Sequence, residues 1–426
     1  MKLVHDWYMV QAGAIDPRAR KMVFDDELMG QLIRFVSSHE IGHTLGLRHN
    51  FGASSTVPVE KLRDKAWVEE NGHTPSIMDY ARFNYVAQPE DHISEKGIFP
   101  RIGPYDKWAI EWGYKLMPDV TDPDEEKRLL LKSTTQRLER DKRLWFGHET
   151  SFFSPESNDP RSQSEDLGDD PVKASEYGIM NLKRVMEGLP EWSKQEDDFD
   201  DNLKEMYKAV ETEYLQFMAH VGNYLGSRYI ESKTDLQEGP VYSPVPRRRQ
   251  KEVVGYYSRQ VFHTPTWLVN PVMVERIGIK PVEELKKVQG TAVGNCINSY
   301  VMLNIISLAQ TAKDPYTLPE YLKDVEQGIW SELDTHAAID VYRRNLQKIY
   351  IDKLIGVIKP PEQMRTAGGS STSPADDSDI SSYVKIDLAA LKSRIKAALP
   401  GMQDQMTRYH LMDLESRITK ALSGKS

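Results

Sequence analysis

Three histidines and a glutamate lie close together in the segment HEIGHTLGLRH, and their spacing suits metal chemistry. His39 and His43 are four residues apart, so on a helix they differ by about 40° in direction and can face one ion. Glu40 lies beside them, where its carboxylate can reach a water molecule in the coordination shell rather than the metal. Gly46 permits a sharp turn, which returns His49 to the same ion as a third ligand.

This ligand set predicts a catalytic zinc site with one Zn²⁺ per chain. Three protein ligands leave a fourth position open, as in catalytic zinc, whereas structural zinc is closed by four. Zinc lowers the pKa of water to roughly 7, and Glu40 can accept the proton. The single cysteine, Cys296, excludes a multi-cysteine site and any internal disulfide, and we expect it to be a small buried apolar residue. A helix whose histidines are merely structural would not require the five fixed positions of the extended motif.

A second segment, SIMDY, places Met78 29 residues after His49. A lone methionine is usually core filler, but after an extended zinc motif it predicts a tight turn that forms an apolar floor beneath the ligands. Tyr80, two residues later, could direct its phenol toward the metal or a developing oxyanion. The alternative for Tyr80 is a buried tyrosine with a satisfied hydroxyl group.

A helix must present the first two histidines, and the sequence before them predicts one. The residues that share a helical face are Leu28, Leu32, Phe35 and His39. Asp25 or Asp26 suits the N-cap, and Gly46 suits the end of the helix. Upstream, the composition of Val4–Gln11 and of Lys21–Phe24 favours β-strands.

The fold class predicted is α+β, predominantly α, with a partial catalytic domain at residues 1–115 and a mostly helical region after it. We expect a helical domain at 116–365, a flexible linker at 366–382 and a C-terminal helix pair at 383–426. The helical segments predicted from apolar spacing are 172–187, 203–225, 298–311, 316–333, 337–358, 385–398 and 403–422. The Gly, Ser and Asp content of TAGGSSTSPADDSDISS is typical of a flexible linker.

The motifs HEIGHTLGLRHN, SIMDY and GPYDKWAIEWGY together resemble the metzincin zinc endopeptidases, whose pattern is HExxHxxGxxH followed by a Met-turn. They are most similar to a family of large secreted bacterial matrixin-like metalloproteases. The resemblance implies the three histidines as zinc ligands and Glu40 as general base. It also implies Met78 as the Met-turn residue and Tyr80 as the Met-turn tyrosine of astacin-like and serralysin-like members.

Two departures from the metzincin pattern affect these expectations. Asn50 follows the third histidine, where the well-known subfamilies carry other residues. Only 38 residues precede the motif, where a metzincin normally places a helix and most of a five-stranded sheet, so we expect a C-terminal fragment with Val4–Gln11 as the last part of that sheet. An extracellular or periplasmic location follows from the resemblance alone.

The function predicted is a zinc-dependent endopeptidase that hydrolyses protein or peptide substrates. The alternative is a catalytically impaired zinc-binding fragment that serves as a protein-interaction scaffold. The net charge of −9 disfavours nucleic-acid binding, and no run of about 18 apolar residues predicts a membrane span. The sequence does not specify an oligomeric state.

Weaker signals have plain structural interpretations. We expect Arg247–Arg249 to lie in a solvated loop rather than at a partner or processing site. The acidic runs 166–170 and 196–201 could hold calcium, but neither has the spacing of a calcium loop. His73 and His92 could line the cleft, although core or surface placement is the default.

The composition of 366–382 generates the first testable prediction. Limited proteolysis of the native chain should cut first between Gly368 and Ser378, because no core can protect such a segment. The fragments should be identified by mass spectrometry. First cleavage within 200–225, with the glycine- and serine-rich segment still intact, would contradict the domain organisation.

Overall fold

The computed structural model describes residues 2–149, 158–358 and 378–423. In these ranges the chain is predominantly helical with one two-stranded sheet, so the predicted fold class is confirmed. The chain divides into two compact units. The first comprises Met1–Val221 and Arg228–Ser243, and the second comprises Gly222–Ser227 and Pro244–Ser426.

The described part of the first unit contains eight α-helices, and the second of them carries His39 and His43. They are α1 (Lys2–Ala12), α2 (Asp26–Thr44), α3 (Lys65–Asn71), α4 (Glu95–Ile98), α5 (Pro104–Tyr114), α6 (Pro123–Arg140), α7 (Pro171–Trp192) and α8 (Asp201–Gly222). The strands β1 (Arg228–Ile230) and β2 (Tyr242–Pro244) form the sheet. Helices α7 and α8 correspond to the helices predicted at 172–187 and 203–225.

The β-strand prediction for Val4–Gln11 is wrong, because these residues belong to α1. Val4, Tyr8 and Ala12 recur every four residues and lie in one buried cluster. Packing of this helical face overrides the local strand preference, which is worth little per residue. Lys21–Phe24 forms no strand either. The expected remnant of a sheet before the zinc motif is therefore absent from the described residues of this segment.

The first unit extends well beyond residue 115, where the sequence suggested a boundary. The side-chain amide of Asn50 donates to the carbonyl of Trp145 at 3.0 Å. The backbone N–H of Val59 donates to the carboxylate of Asp169 at 2.8 Å. Such bonds tie the motif-bearing segment to residues that the sequence assigned to a separate helical domain, so the compact unit includes both.

The second unit is helical throughout its described part. Its helices are α9 (Arg247–Tyr257), α10 (Pro271–Ile277), α11 (Pro281–Cys296), α12 (Ser299–Ala309), α13 (Leu318–Ile329), α14 (Ser331–Thr335), α15 (Val341–Ile358), α16 (Ile380–Ala398) and α17 (Gln405–Leu422). Gln347 donates to the carbonyl of Ile329 at 3.1 Å and bonds His410 at 2.8 Å, which joins three of these helices or their ends. Helices are found at the remaining predicted positions, and α16 and α17 lie where the C-terminal pair was expected.

Two local expectations in the second unit need correction. Arg247–Arg249 begins α9 and is not a loop, and Arg247 pairs with Glu320 at 3.1 Å while Arg249 pairs with Glu252 at 3.1 Å. The predicted linker lies mostly outside the described residues. Its last three residues, 380–382, already belong to α16.

One stretch of the second unit, Pro281–Ala309, is long and apolar enough to cross a membrane by length and composition. The sequence analysis did not identify it. In the structure the stretch is two helices, because the Asn298 side chain accepts from the N–H of Val301 at 2.9 Å and starts α12. Core helices of water-soluble proteins meet the same test, so this stretch alone is weak evidence for a span.

Candidate metal centre

Helix α2 presents His39 and His43, and its two ends are set by side-chain chemistry. The Asp25 carboxylate accepts from the N–H of Leu28 at 2.9 Å, which confirms the predicted N-cap. The predicted end of the helix is confirmed at Gly46, whose φ of +83° favours glycine. Leu28 and Leu32 are fully buried, so the helix is fixed to the core two turns before the histidines.

The structure brings the three predicted histidines together. One ligand-capable atom of each of His39, His43 and His49 lies within 4.8 Å of the others. The Nε2 atoms of His43 and His49 are 3.1 Å apart, close to the ~3.3 Å expected for two nitrogens on a tetrahedral zinc ion. The Nε2 atom of His39 is buried and has no hydrogen-bond partner among the residues that the structure describes. A buried nitrogen without a partner costs free energy unless it binds an ion. The three histidine nitrogens therefore fit a metal.

Each of the three imidazoles is held through its other nitrogen. The Nδ1 atom of His39 donates to the carbonyl of Ile77 at 2.8 Å, and that of His43 donates to the carbonyl of Leu47 at 2.9 Å. Because a carbonyl only accepts, these bonds fix the proton on Nδ1 and leave the Nε2 lone pair free for a metal. Burial also lowers the pKa of His39, which favours the neutral, ligating form.

The partner of His49 is a residue that the sequence analysis missed. Its Nδ1 atom lies 3.4 Å from the carboxylate of Glu149, a hundred residues further along the chain. A carboxylate in this position orients the imidazole and makes it a better ligand. No local pattern marks Glu149, so only the folded chain could have identified it.

Met78 lies directly beneath α2, as the predicted apolar floor requires. Its side chain is fully buried. A Cβ atom added to Gly42 would lie 2.2 Å from the Met78 sulfur. Gly42 is therefore the residue that lets the turn approach the helix between the two histidines, a role that the sequence analysis did not assign.

Asp106, at the start of α5, holds the Met-turn in place. Its carboxylate accepts from the Ser76 hydroxyl at 2.6 Å and from the N–H of Ile77 at 2.8 Å. It also accepts from the N–H of Gly103 at 2.8 Å, which caps its own helix. Because Ile77 supplies the carbonyl that orients His39, Asp106 positions a metal ligand through one intermediate residue.

Asn50, the residue that departs from the metzincin pattern, joins three segments of the site. Its backbone N–H donates to the carbonyl of Met78 at 3.1 Å. Its side-chain amide donates to the carbonyl of Trp145, and its side-chain oxygen accepts from the N–H of Gly147 at 2.9 Å. The side chain is fully buried, so this departure has a structural role that connects the histidine loop to the segment that carries Glu149.

Asp79 lies buried in the Met-turn beside a second buried carboxyl group. One of its oxygens accepts from the N–H of Ser54 at 2.7 Å and from the Thr74 hydroxyl at 2.9 Å, while the other has no partner within the described part of the chain. Burial raises the pKa of Asp79 to about 8. Burial, with Asp79 close by, also raises the pKa of Asp166 well above its usual value.

Tyr80 and Glu40 lie at the site with their polar groups unengaged by the described residues. The Tyr80 ring is 4.6 Å from the His49 ring and 5.1 Å from the His39 ring, centroid to centroid. It is half-buried, and burial raises the pKa of its phenol, with Glu40 adding to the effect and Arg82 opposing it. Glu40 is exposed on α2 beside His39. The alternative for Tyr80, a buried tyrosine with a satisfied hydroxyl group, does not describe this half-buried ring, whose hydroxyl has no described partner.

The remaining candidates lie apart from the histidine triad. His73 is fully buried and its pKa is lowered to about 3 by burial, whereas His92 is exposed. Cys296 is buried as predicted, and burial raises the pKa of its thiol. In the acidic run at 166–170, Asp169 and Asp170 accept from backbone N–H groups, and calcium binding there stays a prediction. Calcium binding at 196–201 stays a prediction.

The site therefore has the features of a metzincin metal centre. These are a helix with two histidines, a third histidine after the helix, and a methionine packed beneath them. The chain matches the family model described as Met-zincin over residues 21–337, and it belongs to that family. Membership of this family supports the assignment of the chain as a metallopeptidase. Comparison with the curated proteins and with the solved structures finds no match. The narrower likeness to secreted bacterial matrixin-like enzymes stays a prediction.

The contact between Gly42 and Met78 generates a prediction. Gly42→Ala should destabilise the fold by about 1–3 kcal/mol and weaken metal binding, because the added methyl group must displace the methionine. Gly30→Ala, on the same helix with open space at its Cβ position, should instead be neutral or stabilising by up to ~1 kcal/mol. Thermal denaturation and metal titration of both variants would check this. Equal behaviour of the two variants would contradict the assigned role of Gly42.

The protonated state of Asp79 generates a prediction about pH. Because its pKa of about 8 lies above the ~4 of an unfolded aspartate, the folded protein holds a proton that the unfolded chain releases. The free energy of unfolding should therefore fall as the pH rises from about 4 to 8. Asp79→Asn keeps the acceptor oxygen and removes the titration, so it should make this slope shallower.

Urea denaturation of the metal-free protein at several pH values would measure the slope. Asp119→Asn, at an exposed position without a described side-chain bond, is the matched control and should leave the slope unchanged. An unchanged slope in Asp79→Asn would show that this carboxyl group is ionised in the folded protein.

Proposed function

We propose that the chain is a zinc-dependent endopeptidase. The observation that carries the proposal is the triad itself, in which three imidazoles converge while each Nδ1 atom is engaged elsewhere. Three imidazole nitrogens suit zinc, and three ligands leave a position for substrate chemistry. Bound there by His39, His43 and His49, zinc would supply Lewis acidity that polarises a peptide carbonyl and acidifies water.

Glu40 is the proposed general base. Its carboxylate would accept a proton from the attacking water and later deliver that proton to the leaving amine as the C–N bond breaks. It follows His39 directly in the chain, is exposed, and has no described hydrogen-bond partner that would compete for the proton. Tyr80 would donate its phenolic proton in a hydrogen bond to the carbonyl oxygen as negative charge develops there.

A polypeptide substrate suits the openness of the centre. On α2, Glu40, Ile41, His43 and Thr44 are all exposed, so the side of the helix that bears the second histidine faces solvent. An open site can admit an internal segment of a chain, whereas a closed one admits only small molecules or chain ends. We propose an extracellular or periplasmic location on the strength of the family resemblance.

Replacement of Glu40 tests the mechanism separately from metal binding. Glu40→Gln should retain zinc and lose ~10²–10⁴ of peptidase activity, because the amide keeps the size but not the basicity. Tyr80→Phe should lose at most ~10²–10³, the contribution of one oxyanion donor. Activity should be measured on fluorogenic peptides with and without chelator, and zinc by metal analysis after dialysis.

Glu27→Gln is the matched control, since it makes the same change in the first turn of the same helix, and it should remain active. Full peptidase activity of the Glu40→Gln variant would contradict the assignment of Glu40 as general base. A wild-type chain that holds zinc but cleaves no peptide would favour the interaction scaffold.

A further inference from the structure

A cleft of about 540 Å³ adjoins the metal centre within the first unit. Ser38, which immediately precedes His39, and Ile77, whose carbonyl bonds the same histidine, both line it. The other lining residues come from α2 and from the segment 95–102. This volume falls within the range of ordinary ligand pockets and can hold a large amino-acid side chain.

Three basic side chains line the cleft, and none of them is neutralised by a described carboxylate. Arg34 and Lys96 are exposed and form no ion pair or side-chain hydrogen bond with the described residues. Arg101 donates from one guanidinium nitrogen to the carbonyl of Glu69 at 2.9 Å, and a neutral carbonyl leaves its charge uncompensated. Such a concentration of unpaired positive charge contrasts with the net charge of −9 of the whole chain.

The cleft has one acidic lining residue, Glu95, against the three basic ones. The Glu95 carboxylate accepts from Arg18 at 3.1 Å and from the Gln31 amide at 2.9 Å. Arg18 is also paired with Asp16 at 2.8 Å, so Glu95 offsets one of the three cations and the lining keeps a net positive charge. The field inside the cleft therefore favours an anion.

The cleft also has an apolar wall, which includes Phe35, Phe99 and Ile102. We propose that the cleft binds the side chain of a substrate residue that ends in a carboxylate, glutamate or aspartate, close to the bond that is cut. The apolar wall accommodates the methylene groups of such a side chain, while Arg34 and Lys96 bind its charged end. This inference rests on the proposed peptidase function.

Cleavage of matched peptides tests the preference. We would use an alanine-rich peptide library in which one position is varied among Glu, Gln and Lys, and identify the products by mass spectrometry. The full chain with zinc should cleave the Glu peptides about tenfold faster, as kcat/KM, than the Gln isosteres, at one fixed position relative to the cut. The preference should shrink as salt is raised.

Charge reversal at the cleft provides the decisive comparison. Arg34→Glu combined with Lys96→Glu should abolish the preference for Glu or convert it to a preference for Lys. The matched control, Lys107→Glu combined with Lys183→Glu, makes the same change of charge on exposed residues of α5 and α7 that do not line the cleft, and should keep the preference. Zinc content of both double variants should equal that of the wild type.

Binding to the Glu40→Gln variant loaded with zinc separates this inference from the proposed function. Fluorescence anisotropy of labelled Glu and Gln peptides should show about tenfold tighter binding of the Glu peptide, lost on reversal of Arg34 and Lys96. If the Glu peptide binds more tightly but the wild type cleaves neither peptide, the acidic specificity of the cleft is supported and the peptidase function is contradicted. Equal binding or equal cleavage of the two peptides would overturn the acidic specificity.

Discussion

The metal centre depends on the fixed orientation of three imidazole rings. Each ring can rotate about two side-chain bonds, and three Nε2 atoms converge only if every ring is held. Carbonyl groups of Ile77 and Leu47 hold two of them, and the Glu149 carboxylate holds the third. These acceptors come from three different segments, so the rest of the first unit has to place those segments around one point.

Buried polar side chains hold these segments together through hydrogen bonds. The described residues around the site contain no β-sheet that could hold them instead. Asp106 binds the Met-turn, and Asn50 joins the histidine loop to both the Met-turn and the segment before Glu149. In each case a side chain satisfies backbone groups that a β-strand would otherwise pair. Gly42 completes the arrangement by allowing Met78 to approach the helix closely.

The sequence predicts the parts of the site that are encoded locally and misses those that depend on distant contacts. The triad, the Asp25 N-cap and the long amphipathic helices follow from spacings of a few residues. Glu149 has no local signal, because its role arises only when it meets His49 across a hundred residues. The strand prediction for Val4–Gln11 is wrong for the same reason, because tertiary packing of a helical face determines the conformation of this segment.

The long chain separation between the histidines and their supports has a consequence for biosynthesis. Asn50 finds its partners 95 and 97 residues downstream, and Val59 finds Asp169 110 residues downstream. A ribosome that has just released the three histidines has therefore not yet made Glu149 or the segment that binds the Asn50 side chain. The nascent chain can therefore expose all three histidines before Glu149 exists, and the His49 imidazole gains its carboxylate partner only when the segment beyond residue 145 emerges.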